Sequence, residues 1–267
     1  MIQNRLKVIF ASVLLTALST GSALADGWFD FGRRGERGSG DVVTEQREVS
    51  PFERIRLECS ADLIVTVGND VSVSVTTDDN LQDNIITEVI RRRTLLVDSD
   101  GSYRTRRGVL VEITVPTLTL IEVDGSGDVE ITGLNNQTFE VELDGSGDIE
   151  FHGKIDELDI ELHGSGQIVV DDLTSETVNI RSKGSGDIEM RGETELLEIS
   201  MHGSGDIDAR RLKAIDAVVR VHGSGDAEIY AESDFEGAVY GSGDIDVYGN
   251  PDNLDRHVSG SGDINRR

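Results

Sequence analysis

A carboxylate returns at a nearly fixed distance along this chain. Asp128, Asp148, Asp187, Asp206, Asp226, Asp244 and Asp263 each close a Gly-Ser-Gly-Asp unit, and Gln167 stands in the third place of the series. Carboxylates stacked in register repel one another unless they are hydrogen-bonded, hydrated or bridged by cations. Two chemistries fit the column. Each Asp could accept backbone N–H groups at its own corner, as Asx turns do. Alternatively, Ca²⁺ could sit between successive units, taking oxygen ligands from Asp and the corner carbonyls. The spacing is not the Gly-Gly-x-Gly-x-Asp nonapeptide of calcium-binding rolls, which favours the first chemistry. Calcium is the one cofactor for which the sequence offers ligands in a pattern.

The other reactive residue types form no site by spacing. His163, His202 and His222 precede corners, in a column shared with Asp124, Asp144, Lys183, Tyr240 and Ser259. His202 and His222 could make a zinc pair, but no third ligand follows from the spacing, so a solvated column is expected. His202-Gly203-Ser204-Gly205-Asp206 holds the residue types of a hydrolase triad without the Gly-x-Ser-x-Gly pattern, and its recurrence points to geometry, so no catalytic residue is assigned. A polysaccharide-acting enzyme would use a carboxylate pair, and among 51 acidic residues no pair stands out. Arg91, Arg92 and Arg93, with Arg104, Arg106 and Arg107, form a basic island expected to pair with the protein's own acids. The competing use for it is contact with an anionic glycan or lipopolysaccharide. Cys59, alone in the chain, cannot form an internal disulfide and reads as a small buried residue.

The elements that must carry these residues are legible from the same repeat. Gly-Ser-Gly corners are built on Gly125 and Gly127, Gly145 and Gly147, Gly164 and Gly166, Gly184 and Gly186, Gly203 and Gly205, Gly223 and Gly225, Gly241 and Gly243, and Gly260 and Gly262. A period of 18–20 residues marks a repeat architecture of stacked units. Two and four residues before each corner stand apolar columns, Val123, Leu143, Leu162 and Ile121, Val141, Ile160 among them. After the corner come Val129, Ile149, Ile168, Ile188 and then Ile131, Phe151, Val170, Met190. Alternation on both sides of the corner predicts two strands per repeat, each with one face inward. A second, looser corner falls at Gly133, Gly153, Asp172, Gly192, Arg211, Ala231 and Gly249. The glycines suit positive φ or close approach between coils. The inward column four residues before the corner breaks at Gly237 and Arg256, so the core is expected to thin at the end. An all-β parallel β-helix or solenoid over 118–267 is favoured over an antiparallel sandwich, because the corner itself repeats.

Residues 49–117 read as a less regular β lobe, with alternation at Ile55 and Leu57, Leu63 to Val67 and Val71 to Val75, a worn corner at Cys59-Ser60-Ala61-Asp62, and Pro116 marking its boundary. Asp79–Val89 has helical spacing of Leu81, Ile85, Ile86 and Val89. Residues 26–48 read as a flexible leader, containing an outlying Gly38-Ser39-Gly40-Asp41.

Residues 1–25 read as a secretory signal: Arg5 and Lys7, an apolar run from Val8 to Leu18, and a small-residue cleavage site at Ala23-Leu24-Ala25. Their removal leaves 23 basic against 51 acidic residues, a formal charge of -28 against -26 for the whole chain. Such a surface disfavours nucleic acid and anionic membrane. No later stretch approaches the roughly 20 apolar residues of a spanning helix. The expected location is the periplasm or the cell exterior, and the expected partner an envelope glycan or protein surface, with self-association through an open end coil a further possibility.

The chain resembles the GIN-domain (DUF2807) family of auto-transporter adhesin heads. The likeness lies in Val49-Ser50-Pro51-Phe52-Glu53-Arg54-Ile55, the worn turn at Cys59–Asp62, Val115-Pro116-Thr117-Leu118 and the Gly-Ser-Gly-Asp-Ile copies. The resemblance implies an exported, right-handed β-helix of adhesin-like role and brings no catalytic residues. An auto-transporter would carry a membrane barrel after its passenger, and this sequence ends at Asn265-Arg266-Arg267.

Overall fold

The structure is a computed structural model that describes residues 35–267; the expected signal segment and residues 26–34 of the expected leader lie outside them. Apolar side chains at every second position, many of them β-branched, favour strands that bury one face. Six long strands follow one another: Val129–Leu143, Ile149–Leu162, Ile168–Ser182, Ile188–Met201, Ile207–Val221 and Ala227–Val239. Each pairs in parallel with the next, so that Val129, Ile149, Ile168, Ile188, Ile207, Ala227 and Ile245 lie side by side in one column. The result is a β-solenoid of about 7 turns.

The two expected strands of each repeat run as one, from one Gly-Ser-Gly corner to the next. The ladder slips at the second corner, between Ile131 and Leu134, His152 and Lys154, and Val170 and Leu173. There Gly133 (φ 82) and Asp172 (φ 49) turn the backbone through left-handed conformations, so the chain bends without losing its neighbour. Past this bend a further column is buried, Phe139, Leu158, Val178, Leu197, Ala217 and Phe235, in register from coil to coil.

The stack also continues through residues 49–117. Arg54–Leu57 pairs in parallel with Leu120–Val123 on one side and with Thr94–Ser99 on the other. Asp62–Val67 pairs in the same way with Val129–Thr132 and with Leu110–Val115. One hydrophobic core therefore runs from Phe52 to Ile264, across Pro116. Antiparallel strands finish the N-terminal end: Ser72–Asp78 against Leu110–Thr114, Val42–Arg47 against Ser72–Asp78, and Ile85–Ile90 against Thr94–Ser99.

Two local expectations differ from what forms. Asp79–Val89 is not a helix: a 3₁₀ turn covers Asp79–Asn84 without a side-chain cap, and Ile85–Ile90 is a strand. β-Branched Ile85, Ile86, Thr87, Val89 and Ile90 gain more from pairing with the open edge of Thr94–Ser99 than from helical spacing. Residues 42–47, expected in the flexible leader, form the strand against Ser72–Asp78, and the outlying Gly38-Ser39-Gly40 wraps the buried Asp78, whose Oδ1 accepts the Gly40 N–H at 2.7 Å.

Candidate functional site

The repeated edge is shaped by backbone touching backbone. A Cβ built on Gly145 would overlap the carbonyl oxygen of Gly125, and one on Gly147 that of Gly127. Close approach, rather than positive φ, requires glycine at these corners. In return the coils bond directly: Gly145 N–H donates to Val123 O (3.0 Å) and Ser146 N–H to Gly125 O (3.1 Å). The second glycine of each corner is buried while Ser146 and Asp148 beside it are exposed, and the other copies follow suit except that Asp244 is half-buried. The edge therefore displays a row of hydroxyls beside a row of carboxylates.

The carboxylates do not cap their own corners. Each except Asp263, the last, accepts the backbone N–H of its successor one coil on. Asp148 N–H donates to Asp128 Oδ1 (3.0 Å) and Gln167 N–H to Asp148 Oδ1 (2.8 Å). Asp206, Asp226, Asp244 and Asp263 donate in turn to Asp187, Asp206, Asp226 and Asp244 at 2.7–2.8 Å. Asp62 of the worn corner begins the ladder by accepting Asp128 N–H at 3.1 Å. Charge-assisted N–H bonds offset the repulsion between stacked carboxylates. Gln167 interrupts the ladder. Among the described residues, no three His, Cys, Asp or Glu side chains gather around a point that could hold a metal ion.

The column before the corner is exposed and stacked. His163 Nδ1 lies 2.8 Å from Asp144 Oδ1, and Lys183 Nζ lies 3.3 Å from His163 Nε2. The rings of His202 and His222 are 4.5 Å apart and parallel within 3°, and Tyr240 continues the stack at 4.7 Å. In this arrangement the two rings do not converge on one ion: nitrogen lone pairs lie in the ring plane, so parallel rings aim theirs side by side. The triad types of His202, Ser204 and Asp206 do not assemble either. Asp206 Oδ1 is turned to Asp226 N–H, and Ser204 is held through its backbone to Gly184 O.

The arginines fall on two loops. Arg91–Arg93 form a 3₁₀ turn between antiparallel strands, with Arg92 and Arg93 at positive φ (62 and 56). Arg104 lies in the short strand Tyr103–Arg104, which pairs with Glu36–Arg37. Of the six, Arg93 alone meets an acid among the described residues, Glu53 at 2.7 Å. Cys59 is buried in the place of a corner glycine; its carbonyl is the one against which Gly125 packs, and burial pushes its thiol pKa up.

One feature escaped sequence reasoning. Glu122, Glu142 and Glu161 stand in register on adjacent coils, with Arg56 before them and Arg181 after. Burial first, then Glu122, Glu140 and Glu161, push the Glu142 carboxyl up to about 6. The signal was present in the sequence as Glu122, Glu142, Glu161 and Arg181, each three residues before one of the first four corners.

A family described as "Putative auto-transporter adhesin, head GIN domain" matches residues 51–171 and again residues 143–251. No curated protein matches the chain. Among solved structures, a putative lipid binding protein from Parabacteroides distasonis is 28% identical with a TM-score of 0.81, the match covering 88% of this chain and 100% of that one. A putative adhesin from Bacteroides fragilis is 26% identical with a TM-score of 0.66, over 87% of this chain and 100% of that one. A putative adhesin from Parabacteroides merdae shares the fold at 18% identity, with a TM-score of 0.78 over 86% of this chain and 98% of that one. The matched segments between them take in residues 51–251, and the chain belongs to the GIN-domain family of adhesin heads.

Proposed function

We propose that this protein is an exported, non-catalytic adhesin-like module that holds an envelope glycan or protein along its repeated edge. The observation that carries this reading is the exposed Ser/Asp edge, repeated coil after coil, in which the carboxylates are committed to the backbone ladder and none is poised against a nucleophile or an acid partner. A row of identical weak contacts at strand spacing, about 4.8 Å, gains strength by avidity. Export is supported by Arg5, Lys7, the apolar run that follows and the Ala23-Leu24-Ala25 site; no helix of the described residues is long and apolar enough to cross a membrane.

The test is retention of the purified protein on envelope extract. Ser146→Arg, Ser185→Arg and Ser224→Arg together place bulk on alternate coils of the exposed edge. The triple variant should keep its circular dichroism and lose retention. Undiminished retention by a folded triple variant would remove the edge from the binding surface.

A further inference from the structure

A groove of about 500 Å³ opens where the irregular first coils meet the regular stack, between Val67–Asn69, Pro116–Thr119 and Asn135–Thr138. It exists because one rung is missing. The strand Val129–Leu143 is paired along one side as far as Thr132 by Asp62–Val67, and again from Glu140 by Leu120–Val123. Between those points no strand of the described residues lies against that side, and the irregular segment Pro116–Thr119 passes there instead.

Its lining is what singles it out. The chain carries a formal charge of -26, and four other grooves of the described surface are each bordered by Asp, Glu, Lys or Arg; this one has no charged residue in its wall. On the same side, the following coils carry Lys154, Asp156, Glu176, Glu193, Lys213 and Glu232, where this coil has Asn135, Asn136, Gln137 and Thr138. Two of the polar side chains brace the wall: Asn136 Nδ2 donates to Leu118 O, and Thr119 Oγ1 donates to Glu53 O at 3.1 Å. Asn69, Asn135 and Gln137 are exposed and their amides have no protein partner among the described residues.

An unpaired carboxamide offers a donor and an acceptor close together, which suits the adjacent hydroxyls of a sugar. A wall without charge neither repels nor desolvates ions when such a ligand settles, and the volume falls in the range of small-ligand sites, about 300–1,000 Å³. We propose that this groove is a binding subsite for one or two units of a neutral, uncharged glycan. The proposal rests on the adhesin-like reading and adds to it a second, uncharged contact at the junction groove, separate from the Ser/Asp edge.

The experiment is calorimetric titration of the full chain with maltotriose, cellotriose and tri-N-acetylchitotriose, and with oligogalacturonate as the anionic comparator. At least one neutral trisaccharide should bind and the oligogalacturonate should not. Asn135→Asp with Gln137→Glu, nearly isosteric and folded by circular dichroism, should weaken that binding about ten-fold or more, and Glu195→Gln, exposed on a later coil away from both the groove and the corner edge, should leave it unchanged. Failure of all three neutral sugars to bind, or equal binding by the double variant, overturns the proposal. So does saturable binding of an uncharged extended peptide, and of no sugar, at the same residues. Envelope retention separates the two ideas: a double variant that is retained as well as the wild type sinks the groove and leaves the adhesin-like reading standing.

Discussion

At the residue scale, Asp206 shows how a repeated acid can be structural. Its Oδ1 accepts Asp226 N–H at 2.8 Å, while its own N–H donates to Asp187 Oδ1 at the same distance. Asp206→Ala leaves that N–H to water at an exposed edge and should cost about 1 kcal/mol, a fall in Tm of about 2–4 °C for a chain of this size. Asp206→Asn keeps the acceptor and removes one of the stacked charges, so it should stay within about 0.5 kcal/mol of the wild type. Thermal melts check both, and the same melts in EDTA and in millimolar calcium should superimpose for the wild-type protein. A midpoint raised by calcium would instead show a cation bridging the ladder by mass action.

At the scale of the element, the strand face carrying Glu122, Glu142 and Glu161 has a pH dependence of its own. The folded-state pKa of Glu142 is raised from 4.5 to about 6, by burial foremost and then by its acidic neighbours. A raised carboxyl holds its proton more tightly in the folded chain than in the unfolded one. Its stabilising contribution is therefore fully present below about pH 4.5 and lost as pH rises through about 6. Glu142→Gln should raise Tm at pH 7.5 and change little at pH 4.5; solvent screening at this half-buried site keeps the gain under about 1 kcal/mol. A Tm difference of the same size at both pH values would trace the effect to packing. The column went unread in the sequence, because the burial of Glu142 and the closeness of Glu122, Glu140 and Glu161 to it follow from the stacking of the coils.

At the scale of the molecule, the two ends of the solenoid differ. The first coils are finished by antiparallel strands, whereas the last coil presents Asn253–Val258 and Ile264–Arg266 as outer strands. An open end is a template for pairing with another chain. Here the inward column Ile199, Val219, Gly237 ends in Arg256, whose guanidinium donates to Ile264 O at 3.1 Å. The gap at Gly237 is taken up by the Phe235 ring, which lies where a Cβ would stand. A charge at the last inward position works against end-to-end stacking. Arg256→Val should make the mass measured by light scattering rise with concentration, while the wild type stays constant over the same range. Constant mass for both would mean that the end is blocked by something other than Arg256.

The repeat period, the inward columns beside each corner, the two kinds of turn and the family itself are written in the sequence, since a glycine that must lie under a carbonyl and an apolar residue at every second position recur wherever a coil does. Residues 42–47 and 79–90 were less legible, because their strands exist only by pairing with edges that other parts of the chain provide. The column from Phe139 to Phe235 needed the slip at the second corner to bring it into register. The aspartates illustrate the division best. Their spacing announced a column, but whether each would cap its own corner, bind calcium or accept the next coil's N–H depended on how far one coil sits from the next. That spacing belongs to the stacked structure, in which these N–H groups reach the preceding carboxylates at 2.7–3.1 Å and form a ladder from coil to coil.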